Sequence, residues 1–207
     1  MSSFFQALLR NPSYRQYLFN KAKAKAGYSS EQLARVVYIE EWRKFFAAAP
    51  IERWSCLEIS PHGRSIWREM GFRTYDSVDF PEFDITTSAL DRTFDVIIAE
   101  QVFEHLRHPY VAARNVHKML AEEGVFMTAT PFLIRVHGAP DDFTRWTEHG
   151  LASFLEDCGF QVETRSWGNR KAVVANFNRW SSYGWRRDLR NEPDFPVSVW
   201  AYARKKR

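Results

Sequence analysis

The segment from Trp54 to Asp84 constrains the fold of this chain more than any other. It begins with an apolar strand pattern, passes through a short turn into a helical pattern, and returns to a second apolar run. Glu58 lies at the end of the first run, and Asp79 closes the second run 21 residues later. Acids in these places suit an open α/β sheet that binds a nucleotide beyond the carboxyl ends of its strands. The second acid would then bind ribose hydroxyls.

The turn after the first strand contains a single glycine, in the sequence Ser60-Pro61-His62-Gly63. A dinucleotide-binding loop uses three glycines so that its backbone amides can wrap a pyrophosphate. The sequence therefore argues against a dinucleotide and allows a nucleoside without phosphates. Because only glycine readily tolerates positive φ, we expect Ser60 and His62 at negative φ, with Gly63 taking any left-handed position.

From Pro50 onwards strand and helix patterns alternate, which predicts a doubly wound sheet of mostly parallel strands. The run Phe94–Ala99 is nearly all apolar, as expected for a central strand that is buried on both faces. Thr147 suits the N-cap of a later helix, and Gly159 suits its C-terminal cap. Strand patterns cover 54–59, 74–79, 94–99, 125–130, 161–167 and 197–204, and helical patterns cover 63–70, 110–120 and 148–158.

Two segments, residues 1–50 and 168–196, lie outside the predicted strand–helix alternation. Residues 1–50 are predicted to form an N-terminal helical cap on a domain of residues 51–207. Ser29 and Gln32 have the spacing of a capping box for a helix that runs to Pro50. Residues 168–196 are aromatic and basic, and are predicted to be an irregular insertion before the last strand.

Composition limits the class of protein. A chain of 207 residues can bury one substantial core. It has neither an apolar run of membrane-spanning length nor a secretory pattern at its N-terminus. The two cysteines, Cys56 and Cys158, are expected to be buried free thiols, which favours a reducing cytoplasm. No cysteine or histidine cluster has zinc spacing, so no metal is predicted.

The net charge of +4 allows contact with nucleic acid without requiring it, so a nucleic-acid acceptor is disfavoured but stays open. The segment from Trp180 to Arg190 could provide a stacking platform for a nucleic acid or a flat acceptor. Tryptophans with neighbouring arginines are more often core residues covered by arginine side chains, and we favour that interpretation.

The block from Phe94 to Phe132 resembles the class I S-adenosylmethionine-dependent methyltransferases, in particular the small bacterial type 11 proteins. It resembles the family's fourth strand, E-H-[LV] turn, helix, E-x-G turn and fifth strand, in that order. The resemblance covers residues 54–167, with a family-like strand at 197–204. It implies an α/β Rossmann-like sheet, mostly parallel with an antiparallel edge strand, and S-adenosylmethionine as cofactor. The gap from Asp79 to Asp84 is shorter than in the family, so the second crossover helix is expected to be trimmed or absent.

The resemblance also implies a set of cofactor-binding residues. Glu58 would lie behind the methionine end of the cofactor, Asp79 would bind the ribose, and Asp84 would face the adenine amine. Each acid has a plainer alternative as a strand-end or turn residue. The complete expected set is Glu58, Ser60, His62, Gly63, Asp79, Asp84, Ile85 and Glu100.

A second block, from Pro131 to Leu151, resembles a subset of the family with the pattern H-x-x-P-x-D-[YF]-x-R-[YW]-T-x-x-G-L. It is expected to lie where the methyl acceptor binds. Gln101 and three residues of this block, Asp142, Arg145 and Trp146, are the expected acceptor-binding residues. Asp142 and Arg145 could instead only brace the loop.

Two histidines are the candidates for a catalytic base, because the imidazole pKa lies near neutrality. His137 is the first candidate and His105 the second, although His105 could serve only to cap the next helix. The expected acceptor is a small molecule or a sugar. The alternatives are an RNA or protein methyltransferase, and a methyltransferase-like protein that binds a ligand without turnover. The sequence leaves the oligomeric state open.

Overall fold

The computed structural model describes residues 21–22, 25–61, 65–138 and 140–206. Its main feature is a six-stranded sheet in the order β3-β2-β4-β5-β8-β6. The strands are β2 (Ser55–Ile59), β3 (Thr74–Val78), β4 (Phe94–Glu100), β5 (Leu120–Pro131), β6 (Phe160–Trp167) and β8 (Ser198–Lys205). The pairs among β2, β3, β4 and β5 are parallel, and β8 runs antiparallel between β5 and β6. The predicted α/β sheet, mostly parallel with an antiparallel edge, is confirmed.

Within the described part of the chain from residue 28 onwards, four α-helices and a two-stranded ribbon accompany this sheet. The helices are α1 (Val36–Ala47), α2 (Pro109–Met119), α3 (Glu148–Glu156) and α4 (Arg170–Asn178). The ribbon pairs β1 (Tyr28–Gln32) with β7 (Ser182–Gly184) in antiparallel fashion. As predicted, Thr147 caps α3 by accepting a hydrogen bond from the Gly150 amide, and Gly159 takes a positive φ of 94° after that helix.

The crossover after β2 differs from the prediction. Where a helix was expected over 63–70, the described residues form only a 3-10 turn at Trp67–Glu69. The Ser65 hydroxyl accepts a hydrogen bond from the Trp67 amide, and such a side-chain contact competes with helical pairing. Burial of the Trp67 ring in the core holds this turn in place. Residues 79–93, all described, form neither helix nor strand, so the expected loss of the second crossover helix is confirmed.

Two predictions outside the sheet are wrong. The capping box at Ser29 and Gln32 does not form, because these residues belong to β1 and α1 begins only at Val36. The segment 168–196 is not irregular throughout, since it contains α4 and β7. Asn169 caps α4 by accepting a hydrogen bond from the Ala172 amide. The helices expected before residue 21 lie outside the described residues.

Each face of the sheet has its own apolar layer. Helices α2 and α3 cover one face, where Phe126 and Phe154 are buried. Helix α1 covers the other face with an aromatic cluster that includes Trp42 and Trp67. Both layers remove large apolar areas from water, which supplies the main driving force for folding. Within the described residues no helix has both the length and the apolar character needed to cross a membrane.

Candidate active site

Two adjoining cavities lie at the carboxyl ends of the parallel strands. The first, the edge cavity, has a volume of about 490 Å³ and lies beside the ends of β2 and β3. The second, the ribbon cavity, has a volume of about 690 Å³ and lies under the β1–β7 ribbon. Gln101 and His105 line both cavities. A ligand in one cavity can therefore meet a ligand in the other at these two side chains.

The edge cavity gathers four of the expected cofactor residues. Ser60, Asp79, Asp84 and Ile85 all line it. One oxygen of Asp84 accepts hydrogen bonds from the amide and hydroxyl of Thr86, so this carboxylate also fixes its own turn. Apolar walls beside the exposed Asp79 carboxylate and the half-buried Asp84 carboxylate suit a flat ring that carries hydroxyl groups, as in a nucleoside.

The chain takes a left-handed backbone conformation at two strand ends in this region. Ser60 has a φ of 52° and Gln101 has a φ of 57°. The expectation of negative φ at Ser60 is therefore wrong. The Ser60 amide donates to the Val78 carbonyl at 2.7 Å, and this bond holds the loop in its conformation. His62 and Gly63, the other two expected loop residues, lie outside the described residues.

Glu58 lies behind the edge cavity and is not among the residues that line it. Its carboxylate accepts hydrogen bonds from the Ser65 and Tyr75 hydroxyls. Burial raises its pKa above the ordinary value, and these two hydrogen bonds act in the opposite direction. Glu58 thus ties the crossover after β2 to the neighbouring strand β3.

Glu100 lines the ribbon cavity, whereas the sequence placed it with the cofactor-binding residues. Its carboxylate binds Arg35 and accepts hydrogen bonds from the Tyr38 hydroxyl at 2.8 Å and the Trp67 indole at 3.2 Å. Burial raises the pKa of Tyr38 well above its usual range, which keeps the hydroxyl protonated as a donor. A buried carboxylate with three donors is well satisfied.

His137 and His105 lie together beside a buried carboxylate, that of Glu104. The Nε2 atom of His137 is 3.3 Å from Glu104 Oε1, and the corresponding distance for His105 is 3.7 Å. The two imidazole rings meet edge to face with centroids 4.7 Å apart. Both histidines line the ribbon cavity. The structure therefore brings together the two imidazoles that the sequence singled out.

Asp142 and Arg145 form an ion pair and line neither cavity. Arg145 also donates to the Phe132 carbonyl at 2.7 Å, and Asp142 accepts from the His137 amide at 2.9 Å. The hydrogen bonds from Arg145 hold the pKa of Asp142 down at about 2. Trp146, which the sequence placed with the acceptor-binding residues, is buried in the core, stacked on Phe154, and lines neither cavity. These residues position the loop that carries His137.

The structure adds residues that sequence reasoning missed or misplaced. Gln32 and Arg35 line the ribbon cavity, and nothing in their sequence context marks them. Trp180 also lines it, beneath the guanidinium of Arg135 at 5.0 Å. The core prediction for the basic-aromatic segment is wrong for its tryptophans, since Trp180 is 38% and Trp185 is 60% exposed.

Comparison with known proteins agrees with this geometry. A family model described as methyltransferase domain matches residues 30–165, which is most of the chain. The chain therefore belongs to the methyltransferase-domain family, and it is an enzyme whose cofactor is S-adenosylmethionine. No curated protein sequence matches it.

Solved structures show the same fold at low sequence identity. An S-adenosylmethionine-dependent methyltransferase from Mesorhizobium loti aligns with 16% identity and a TM-score of 0.57, over 80% of this chain and 97% of that one. A methyltransferase from Clostridium acetobutylicum aligns with 10% identity and a TM-score of 0.57, over 94% and 100%. The Burkholderia thailandensis 1,6-didemethyltoxoflavin-N1-methyltransferase, solved with 1,6-didemethyltoxoflavin and S-adenosylhomocysteine, aligns with 14% identity and a TM-score of 0.57, over 100% and 92%.

The residues of the edge cavity fit an adenosyl group. Asp79 would provide acceptors for ribose hydroxyls, and Ile85 with Val102 would provide an apolar wall for the adenine. Ser60 closes the cavity at the end of β2. The single-glycine loop is no obstacle, because an adenosyl group without phosphates needs no pyrophosphate-wrapping amides.

Proposed function

We propose that this enzyme transfers a methyl group to a small-molecule or sugar acceptor bound in the ribbon cavity. The observation that carries the proposal is that the two cavities share Gln101 and His105. A cofactor in the edge cavity and an acceptor in the ribbon cavity would meet at this boundary. Bound S-adenosylmethionine supplies an electrophilic methyl group on its sulfonium. The residues at the boundary then hold the acceptor in line, and such positioning lowers the barrier substantially.

The size and lining of the ribbon cavity support a small acceptor. A volume of about 690 Å³ lies in the range of small-molecule sites. The exposed face of Trp180 offers a stacking surface for a flat ring or a sugar, and Arg135 lies against that ring. The Burkholderia neighbour, solved with a small heterocyclic acceptor, is one example of such an acceptor on this fold.

His137 and His105 are proposed as the residues that act on an acceptor hydroxyl. If Nε2–H of His137 donates to Glu104, Nδ1 keeps the lone pair that can accept the hydroxyl proton. Asp142 fixes the backbone of His137 from behind. Gln101 and Arg35 would bind the acceptor's polar groups, because both line the same cavity.

A nucleic-acid acceptor has one feature in its favour. Trp185 is exposed, and the guanidinium of Arg186 lies 4.7 Å from its ring centroid. Neither residue lines either cavity, so this surface does not deliver a base to the shared boundary. The small acceptor remains the better proposal. The two cysteines, Cys56 and Cys158, are buried and unpaired, which supports the proposed cytoplasmic location.

Binding of S-adenosylhomocysteine tests the proposed cofactor site. Calorimetry should give a dissociation constant in the micromolar range, which corresponds to a binding free energy of about −8 kcal/mol. Asp79→Ala should weaken binding by about 1–3 kcal/mol, because buried hydrogen bonds to the ribose are lost. Asp76→Ala is the matched control, since Asp76 lies on β3, three residues before Asp79, but pairs with Arg92 outside the cavity. Binding of NADH in place of S-adenosylhomocysteine would refute the assignment.

A further inference from the structure

Three potential metal ligands lie within 4.8 Å of one another beside the ribbon cavity. They are a carboxylate oxygen of Glu104 and ring nitrogens of His105 and His137. Sequence spacing could not reveal this set, because helix α2 and strand β5 separate His137 from the Glu104-His105 pair along the chain. The described residues contain no other cluster of this kind.

The hydrogen bonding of His105 points to a positive charge between these groups. Its Nδ1 contacts the carbonyl oxygen of Asp141, which can only accept, so Nδ1 carries a proton. In a neutral ring Nε2 then carries a lone pair, and this lone pair lies 3.7 Å from Glu104 Oε1. A lone pair facing a carboxylate is unfavourable unless a proton or a cation lies between them. Histidines that bind metals commonly donate their other N–H to a backbone carbonyl in this way.

Glu104 gives an independent indication. The side chain is fully buried, and its Oε2 atom has no hydrogen-bond partner within the described structure. An unsatisfied carboxylate oxygen in the interior is costly, and such a group calls for a missing partner. Glu104 sits in the 3-10 turn Phe103–His105, and its backbone carbonyl accepts hydrogen bonds from the amides of Phe143 and Thr144. The turn therefore holds the carboxylate firmly against the loop that carries His137.

We propose that Glu104, His105 and His137 bind a divalent transition-metal ion, Zn²⁺, with its remaining coordination position facing the ribbon cavity. Zinc bonds to imidazole nitrogen and carboxylate oxygen are about 2.0–2.1 Å long, so tetrahedral ligands lie about 3.3 Å apart. The observed separations from Glu104 Oε1 are 3.3 Å to His137 and 3.7 Å to His105. Two imidazoles and one carboxylate with one open position are the ligand set of catalytic rather than structural zinc.

The open coordination position determines which further ligand the ion can bind. Both histidines line the ribbon cavity, so an oxygen of the acceptor can reach the ion there. This step rests on the proposed function, whereas binding of the ion itself does not. Zinc would take the place of the proton between His137 Nε2 and Glu104. In the zinc-bound protein, His137 would act on the acceptor only through the ion. In the metal-free protein, His137 would accept the proton of the acceptor directly.

Zinc binding by the full chain tests the inference. Tag-free protein is stripped with a chelator and titrated with Zn²⁺ in competition with a chromophoric chelator. One ion per chain should bind, and the melting temperature should rise with added zinc. Glu104→Gln, His105→Ala and His137→Ala should each lower the affinity by at least roughly 100-fold, since even outer-sphere partners contribute up to that much. His149→Ala is the matched control, because His149 is exposed at the start of α3 and away from the cluster, so it should bind zinc as the native protein does.

A cooperative thermal unfolding transition, measured in parallel, shows that each variant is folded. If the native protein binds no zinc at micromolar concentrations, the inference is wrong. It is equally wrong if the His105 and His137 variants bind zinc as tightly as His149→Ala. In both cases, the proposed methyl transfer is unaffected if the native protein binds S-adenosylhomocysteine. If the native protein does not bind S-adenosylhomocysteine, that function is refuted instead.

Discussion

Ser60 and Gln101 occupy backbone conformations that are unfavourable for residues with a side chain. The left-handed region costs a residue other than glycine about 1–2 kcal/mol, because Cβ approaches the following carbonyl oxygen. Both residues follow parallel strands and line the edge cavity. Strain of this kind persists where surrounding hydrogen bonds overdetermine the backbone, here from Ser60 to Val78 and from Gln101 to Ala129.

Replacement of Ser60 by glycine should relieve this strain. We expect Ser60→Gly to raise the free energy of unfolding by about 0.5–1 kcal/mol, because glycine takes positive φ without the Cβ contact. Chemical denaturation measures the effect, and Ser60→Ala serves as the control, with no gain. A loss of stability in Ser60→Gly would show that the serine hydroxyl contributes more than the backbone strain costs.

Replacement of His137 tests the proposed acceptor side of the site separately from the proposed cofactor side. We expect His137→Ala to lower kcat by roughly 10²–10⁴-fold, the range of general acid–base catalysis, once an acceptor is in hand. The affinity for S-adenosylhomocysteine should stay within about twofold, because His137 lines the ribbon cavity and not the edge cavity. If His137→Ala lowered turnover and the affinity for S-adenosylhomocysteine equally, His137 would contribute to cofactor binding, and its proposed role on the acceptor would be wrong.

At the scale of elements, the loop from His137 to Thr147 is braced from within. Arg145 binds the Asp142 carboxylate and donates to the Phe132 and Arg135 carbonyls, so one guanidinium joins the loop to the end of β5. The same carboxylate accepts from the His137 amide. The loop is therefore a unit whose shape determines where the imidazole lies.

Removal of this brace should lower stability and activity together. Asp142→Asn should lower the free energy of unfolding by about 1–2 kcal/mol at neutral pH, allowing for partial screening by water. Because the two residues share the ion pair, the loss of stability in the double variant Asp142→Asn/Arg145→Met should be smaller than the sum of the two single losses. Additive losses in a denaturation cycle would show that the residues act independently.

The brace also predicts a pH dependence. The pKa of Asp142 is about 2 in the folded protein, below its ordinary value of 3.8. Its contribution is therefore fully present above about pH 4 and is lost as the pH falls toward 2. Asp142→Asn should flatten the stability curve over that interval and leave it unchanged in shape above pH 5.

For the molecule as a whole, regular sequence patterns predicted the sheet and its helices well. The strand from Phe94 was predictable because the run Phe94–Ala99 is nearly all apolar, as a central strand requires. The turn at Trp67 could not be predicted, because its geometry depends on Ser65 binding Glu58 and on burial of the indole against α1. Strand β1 could not be predicted either, since its partner β7 lies 150 residues away along the chain.

The candidate site divides in the same way. Asp79, Asp84 and Ile85 could be grouped from the sequence because they follow one strand directly, and they line one cavity. Glu100 was grouped with them but lines the ribbon cavity, where its partners are Arg35, just before α1, and Tyr38, within α1. The Glu104 cluster depends on His137, 33 residues further along the chain, and no local pattern encodes it.

The β1–β7 ribbon has a consequence for how this enzyme could acquire new acceptors. Ser30 and Gln32 of the ribbon, with Trp180 just before β7, form the outer wall of the ribbon cavity and take no part in the edge cavity. Mutations there can change which molecule is methylated while the cofactor pocket keeps its shape. Gln101 and His105 have no such freedom, because each lines both cavities. Laboratory evolution toward a different acceptor should therefore randomise the ribbon first and leave the shared boundary fixed.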